Sequence, residues 1–426
     1  MSAGVVGFAE ALDVVLGLGR MVRATGEEEV SLLDAAGRVL AEVVVADRDQ
    51  PPFDRATRDG FAVRAEEWAA GVRLRIVGQV RAGEVWDGGA VQAGGAVEIM
   101  TGAAVPEGVD AVAMIEHVEL GEGLVWAAAG RRLRARENVV PRGSEARVGE
   151  VVMRAGAVVG AAEIALAAAC GRAELKVRKR PRVAIVATGD ELVELGGTVG
   201  AQQIWNSNGY ALAAMVEAAG GRAERLGIAR DTREDVRARI AEGRMGDLLL
   251  LSGGVSAGKY DLVEEVLAEF GAEFFFTGVT MQPGRPVVFG RLPAERGGTS
   301  AHDSKSRRGA PDSGDWTYFF GLPGNPVSTQ VTFHCLVEPL LRAMCGAEAV
   351  GPKFVQGTLG EDVSGKAGLT RVLPAFLRHD LERPEVRLVV WQGSGDLGAN
   401  ARANCYAVLP DGKDLRAGDV VTVLLR

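Results

Sequence analysis

Between residues 5 and 25 the apolar positions Val6, Phe8, Leu12, Val15, Leu16, Leu18 and Val22 recur close to the helical period, and the run stops at Gly26. That spacing predicts one amphipathic helix. From Val30 to Val152 the apolar runs are short, among them Leu74–Val77, Ala96–Met100 and Ala111–Ile115, with Gly, Pro and Asp between them, which predicts a small β-rich unit. Residues 160–170 read as an alanine-rich buried helix, and the basic run Lys176–Arg182, broken by Pro181, marks a boundary. Beyond it, strand-like Val183–Val186, Asp247–Leu251 and Phe319–Leu322 alternate with helix-like Gly209–Ala219, Thr232–Glu242 and Leu262–Phe270. The alternation predicts a parallel α/β sheet, whose ligands bind at the carboxyl ends of its strands. Residues 294–315 are Gly, Ser, Ala, Asp and Arg with almost no large apolar side chain, so a mobile insertion is expected there. Short apolar segments after Gly346, such as Val386–Trp391 and Val420–Leu424, predict another compact β domain.

A chain of 426 residues exceeds what one hydrophobic core usually supports, in keeping with several domains. Its formal net charge of −8 excludes a broad nucleic-acid or anionic-membrane surface, though local basic sites remain allowed. Cys170, Cys335, Cys345 and Cys405 form no CxxC pair and read as reduced thiols of a cytoplasmic protein. His117, His302, His334 and His379 are scattered, against a zinc site. Glu10 and Asp13 interrupt any secretory leader, and the longest apolar stretch, Ala155–Cys170, contains Glu163 and falls short of the ~20 residues a spanning helix needs. Neither a membrane nor a nucleic acid is an expected partner.

The clearest chemical signal is Asp247-Leu-Leu-Leu-Leu-Ser-Gly-Gly-Val-Ser-Ala-Gly-Lys-Tyr-Asp261, a buried strand leading into glycine turns and then a helix. Gly253, Gly254 and Gly258 permit close backbone approach to an anion, while Ser252 and Ser256 can donate hydrogen bonds. Gly253 and Gly258-Lys259 match the Walker A spacing, but Tyr260 stands where Ser or Thr would bind Mg²⁺, which argues against an ordinary P-loop. Taken alone, the segment reads as a phosphate site or as a tight turn. Two other strand ends point the same way: Val183-Ala-Ile-Val-Ala-Thr-Gly-Asp-Glu191, with Thr188 and Gly189 in its turn, and Phe319-Phe-Gly-Leu-Pro-Gly-Asn-Pro-Val-Ser328, with Pro323, Gly324, Asn325 and Pro326. In a parallel sheet all three ends share one edge, so their loops can line one crevice. Asp190 and Glu191 read either as helix caps or as ligand-site carboxylates. Glu191 with Asp261 would make an oxygen site suited to Mg²⁺ bridging phosphates. Asn206, Ser207 and Asn208 are caps or polar contacts to the same ligand.

Together with Pro52-Phe-Asp-Arg-Ala-Thr-Arg-Asp-Gly-Phe-Ala62, Ile99-Met-Thr-Gly-Ala-Ala-Val-Pro106 and Thr188-Gly-Asp-Glu-Leu192, these motifs resemble the molybdopterin molybdenumtransferase family, MoeA and the gephyrin E domain. The resemblance runs in order from about residue 50 to 330 and continues more weakly through Arg371 and Gly393-Ser394. It implies a multi-domain α/β plus β fold with a central parallel α/β domain of the MogA-like, molybdopterin-binding type. The expected divisions are an N-terminal helix over 1–26 packed on the α/β domain, an elongated connecting domain from 27–48 and 147–179, and a small β-rich domain over 49–146. The α/β domain then spans 180–342 and a C-terminal β-barrel-like domain 343–426.

The same resemblance implies a homodimer with the active cleft at the protomer interface. It assigns functional roles to Asp59 and Thr101 and places nucleotide and Mg²⁺ at Glu191, Asp231, Ser252, Gly253, Gly254 and Asp261, with Pro323 and Pro326 shaping the opposite loop. The implied activity is insertion of molybdate into adenylylated molybdopterin with Mg²⁺-dependent release of AMP. A molybdopterin adenylyltransferase and apo-molybdoenzymes are the implied protein partners. In Met281-Gln-Pro-Gly-Arg-Pro286 the chain departs from the family: Gln282 and Gly278 stand at positions that often carry Lys, and Glu145 where Asp is frequent. Arg285, Lys259 and Arg371 then remain to attract molybdate, beside Ser394. The competing readings are a molybdopterin adenylyltransferase, disfavoured by the extra β domains, and a gephyrin-like scaffold, disfavoured by the intact carboxylates.

Overall fold

The computed structural model describes residues 4–254, 262–295, 316–348, 350–378 and 383–426. Most of the 294–315 insertion, and with it His302, therefore lies outside the described residues, as do Ser256, Gly258, Lys259, Asp261 and His379.

The first helix, Phe8–Gly19, buries Ala11 and Val15 in the core of the α/β region. It ends earlier than the apolar spacing suggests, because Gly17 and Gly19 fall in its last turn and each weakens a helix by ~1 kcal/mol relative to Ala. Just before it, Val5–Val6 pairs in parallel with Gly278–Val279.

The β-rich part is a six-stranded sheet in the order Ala111–Met114, Gly60–Val63, Gly95–Ile99, Leu74–Val80, Leu124–Ala127, Val118–Gly121. A Cβ at Gly60 would lie 1.9 Å from the Ala113 carbonyl oxygen, so only glycine lets these strands close beside Asp59. A separate core, including Leu40, Val44, Met153, Ala167 and Leu175, joins the antiparallel pair Glu27–Ser31 and Glu174–Arg178 to the helix Ala161–Ala169.

The central sheet runs Arg222–Ala229, Arg182–Thr188, Leu248–Ser252, Trp316–Leu322, Val288–Pro293, Glu273–Phe276. Its first four strands are parallel. The last two are antiparallel to their neighbours, so the expected parallel sheet is mixed. Val288–Pro293 lies antiparallel beside Trp316–Leu322, the next described strand in the chain. Strand Leu248–Ser252 is buried throughout, with Leu248 and Leu250 in one core and Leu249 and Leu251 in the other, as expected of a strand covered on both faces.

At the C-terminus Thr370–Arg378, Glu385–Leu388, Phe354–Leu359, Val420–Leu425 and Cys405–Leu409 form a closed barrel, completed where Thr370–Arg378 pairs with Cys405–Leu409. Met281–Gln282 adds to this barrel in parallel, Gln282 opposite Arg371, and so stitches it to the α/β region. All four cysteines are free and buried. No described helix is long and apolar enough to cross a membrane.

Candidate functional site

In-register pairing of Thr188 with Ala229, Ala187 with Ser252, and Ser252 with Leu322 brings four strand ends to one edge of the sheet. A cleft of about 1580 Å³ opens there, lined also by the segment 281–286, Lys366 and the turn Gly393–Gly395. Thr188, Gly189, Glu191, Asn206, Ser207, Asp231, Ser252, Gly253, Gly254, Arg285, Pro323, Gly324, Asn325, Pro326 and Ser394 all line it. The structure thus brings these candidate residues together along one cleft.

The glycine turn is built by close approach. Gly253 and Gly254 have φ of +100° and +66°, and a Cβ on them would come within 2.6 Å of the Thr188 carbonyl oxygen and 2.9 Å of its Oγ1 respectively. Thr188 Oγ1 is itself buried with no hydrogen-bond partner among the described residues. Gly253 N–H donates to the Leu322 carbonyl at 3.0 Å, so that donor braces the turn rather than facing a ligand. Ser252 is held from the side: Asn208 Nδ2 donates to its Oγ at 2.9 Å, to the Gly324 carbonyl at 2.7 Å and to Thr329 Oγ1 at 3.3 Å. Asn208 therefore joins the loops of two strands.

Asn206 has the capping role. Its Oδ1 accepts from Gly209 N–H at 3.0 Å and its Nδ2 donates to Glu194 at 2.7 Å, which consumes the side chain. Asp190 does not line the cleft. Its carboxylate accepts from Asp231 N–H at 3.3 Å and its carbonyl from Arg230 at 3.2 Å, bracing the neighbouring loop. Thr232 caps helix Arg233–Gly243, accepting from Asp235 N–H at 3.3 Å, and this leaves the Asp231 carboxylate at the rim. Glu191 folds over Gly189, where a Cβ would lie 2.4 Å from its Oε2.

Cations line the cleft as well. Arg233 is matched by Glu265 at 3.4 Å and also by Glu269. Arg285 and Lys366 line the cleft with no carboxylate partner among the described residues, and Lys366 Nζ donates to Gln282 Oε1 at 3.3 Å. Lys366 carried no motif and was missed by sequence reasoning; nothing in its neighbourhood announces a contact with a segment more than eighty residues earlier. Arg371, expected at the anion, does not line the cleft: it donates to the Ser364 carbonyl, and its Nε is buried without a partner among the described residues. Gly278 backs onto the N-terminal strand, and a Cβ there would lie 3.0 Å from Val5 Cγ2.

Asp59 and Thr101 lie together on the six-stranded β unit and are not part of this cleft. Thr101 donates both its backbone N–H and its hydroxyl to Asp59 Oδ1, each at 2.7 Å, and these bonds hold the carboxyl below its ordinary range. Glu145 pairs with Arg55 at 2.9 Å on the same unit.

Three family descriptions match the chain in order: MoeA N-terminal region (domain I and II) over residues 6–171, probable molybdopterin binding domain over 184–343, and MoeA C-terminal region (domain IV) over 356–425. The molybdopterin molybdenumtransferase of Staphylococcus aureus (strain COL) is 32% identical over 407 residues, covering 93% of this chain and 90% of that one. Its counterpart in Haemophilus influenzae is 31% identical over 408 residues, covering 94% of each. Among solved structures, a molybdopterin biosynthesis MoeA protein from Pyrococcus horikoshii superposes with a TM-score of 0.71 at 31% identity, covering 99% of each chain. A second structure from Pyrococcus horikoshii OT3 gives 0.76 at 26% identity, covering 99% of this chain and 100% of that one.

Proposed function

Because the chain belongs to the MoeA family, the molybdopterin molybdenumtransferases of molybdenum cofactor biosynthesis, we propose that its cleft binds adenylylated molybdopterin and inserts molybdate into the dithiolene with Mg²⁺-dependent release of AMP. The observation that carries this reading is the mixed lining of the cleft: the carboxylates of Glu191 and Asp231 with the glycine turn, and the cations of Arg285 and Lys366, which have no carboxylate partner among the described residues. A pyrophosphate with a divalent cation suits the first, and a free oxyanion suits the second.

The donor set fits Mg²⁺ in the manner usual for that ion, which takes one or two carboxylates and completes its shell with water and substrate phosphates. Glu191 would hold the ion, joined by Asp261, which lies outside the described residues. Bound there, Mg²⁺ supplies charge neutralisation for the pyrophosphate.

The chain's own groups do the rest. The turn Ser252–Gly254, braced by Asn208, receives the nucleotide phosphate, and Pro323–Pro326 closes over its other side. Arg285 and Lys366 hold molybdate near the dithiolene. A water oxygen bonds the AMP phosphorus as its phosphoanhydride P–O bond breaks and the bridging oxygen leaves on the pterin phosphate, while the two dithiolene thiols bind molybdenum and one molybdate oxygen leaves as water with their two protons. No protein nucleophile is required.

Asp59 and Thr101, remote from their own chain's cleft, are assigned to the cleft of a second copy in a homodimer. Mixing an Asp59→Asn chain with a Glu191→Gln chain tests this, since restored turnover in the mixed dimer requires one intact cleft built from both. The whole reading is tested by AMP release from adenylylated molybdopterin on addition of molybdate and Mg²⁺, with activation of an apo-molybdoenzyme as the second readout.

A further inference from the structure

The described cations of the cleft are not equivalent. Arg233 is neutralised by Glu265 and Glu269, whereas Arg285 and Lys366 have no carboxylate partner among the described residues. They come from different parts of the chain: Arg285 is the one cation in segment 278–286, and Lys366 projects from the barrel loop that precedes strand Thr370–Arg378.

That loop is tightly held. Gly365 N–H donates to Asp414 Oδ1 at 2.7 Å and Gly368 N–H to Asp411 Oδ1 at 2.6 Å, on either side of Lys366. The Lys366 carbonyl accepts from Gly412 N–H at 3.2 Å. A Cβ at Gly365 would lie 2.7 Å from the Gly412 carbonyl carbon, so the two turns are in close contact. Arg371 donates to the Ser364 carbonyl from the other side, and its strand pairs with Gln282 in register. Gln282 Oε1 in turn accepts from Lys366 Nζ at 3.3 Å. An exposed lysine ordinarily samples many rotamers; this one has a fixed base and a tethered tip.

We propose that Lys366 is the principal cation for the tetrahedral oxyanion substrate, with Gln282 and Arg371 as positioning residues that fix its ammonium in the cleft. The proposal rests on the functional reading above, in which that oxyanion is molybdate. An ammonium offers three donors without a set plane and suits a tetrahedral oxyanion, and its exposure makes the attraction sensitive to salt.

The test is equilibrium binding of molybdate, with tungstate as a second probe, to the full-length protein at low and high ionic strength, with AMP binding measured alongside. Lys366→Gln is expected to weaken molybdate binding by about tenfold or more, the loss of one charge-assisted contact, and to leave AMP binding unchanged. Gln282→Lys placed in the Lys366→Gln protein returns a cation to the same spot and is expected to recover most of the affinity. Arg371→Met is expected to weaken molybdate binding alone and to add nothing in the Lys366→Gln background, because both act through one ammonium.

Unchanged molybdate affinity in Lys366→Gln, absence of molybdate binding in the wild type, or equal loss of AMP binding would overturn the proposal. Its failure is separable from that of the functional reading. A wild type that releases AMP with molybdate while Lys366→Gln binds molybdate normally defeats only the lysine. A wild type without AMP release whose molybdate binding still depends on Lys366 defeats only the reading.

Discussion

Asn208 Nδ2 donates to the Gly324 carbonyl at 2.7 Å, and through this bond helix Ser207–Ala218 holds the loop after strand Trp316–Leu322. The same amide also donates to Ser252 Oγ at 2.9 Å, so one side chain sets the spacing of two loops that line the cleft. Asn208→Ala should lower stability by about 1–3 kcal/mol for the acceptors it leaves unpaired, and raise KM for the adenylylated pterin more than it lowers kcat. Thermal denaturation and steady-state kinetics check both; unchanged KM would remove Asn208 from the site's support.

Gly254→Ala places a Cβ 2.8 Å from Val263 Cγ2 and 2.9 Å from Thr188 Oγ1, at a φ of +66°. The backbone strain alone costs about 1–3 kcal/mol. The turn should open and AMP affinity fall, while the far-UV circular dichroism stays native. An alanine variant with wild-type AMP affinity would show that this turn does not contact the nucleotide.

Asp59 titrates below its ordinary value because the Thr101 N–H and then the Thr101 hydroxyl bond its carboxylate. A folded-state pKa depressed below the unfolded one contributes stability that is present above the unfolded value and lost as pH falls through the folded one. The Asp59–Thr101 contact should therefore hold at neutral pH and weaken only below about 4, the ordinary aspartate range. Carbon-13 NMR titration should place Asp59 below 3.8 in the wild type and move it up in Thr101→Val, which keeps the N–H bond but loses the hydroxyl. Identical titration of the two proteins would contradict this assignment.

Burial pushes the thiol of Cys345 up to about 12 and that of Cys405 up to about 11, and raises Cys335 further. Thiolates are the reactive form, so the native protein should react only slowly with a disulfide reagent at pH 8, and rapidly once unfolded. Fast native labelling of these three would show that the regions holding them open readily.

The parallel strands were legible because strands covered on both faces read as unbroken apolar runs, as in Leu248–Ser252. The cleft's glycine turns were legible for a related reason: Gly253, Gly254 and Gly189 stand at strand ends where φ is positive. The antiparallel edge was not, since Glu273–Phe276 and Val288–Pro293 differ from parallel strands only in how the chain returns to them. Side-chain roles were least legible where they depend on distant partners. Asn206 and Asn208 stand two residues apart in one motif, yet one caps a helix and the other bridges loops. Arg371 and Lys366 differ likewise: Arg371 turns to the Ser364 carbonyl, and Lys366 reaches the cleft only because strand Met281–Gln282 joins the barrel.

The most direct test of the account is AMP release from adenylylated molybdopterin by the wild-type protein, measured with molybdate and Mg²⁺ added together and each withheld in turn, beside Glu191→Gln. The account predicts AMP release and active molybdenum cofactor only with both present, and a loss of at least a hundredfold in Glu191→Gln, of the order expected when a group stabilising transition-state charge is removed. AMP release that ignores molybdate, or a Glu191→Gln protein that turns over like the wild type, would contradict it.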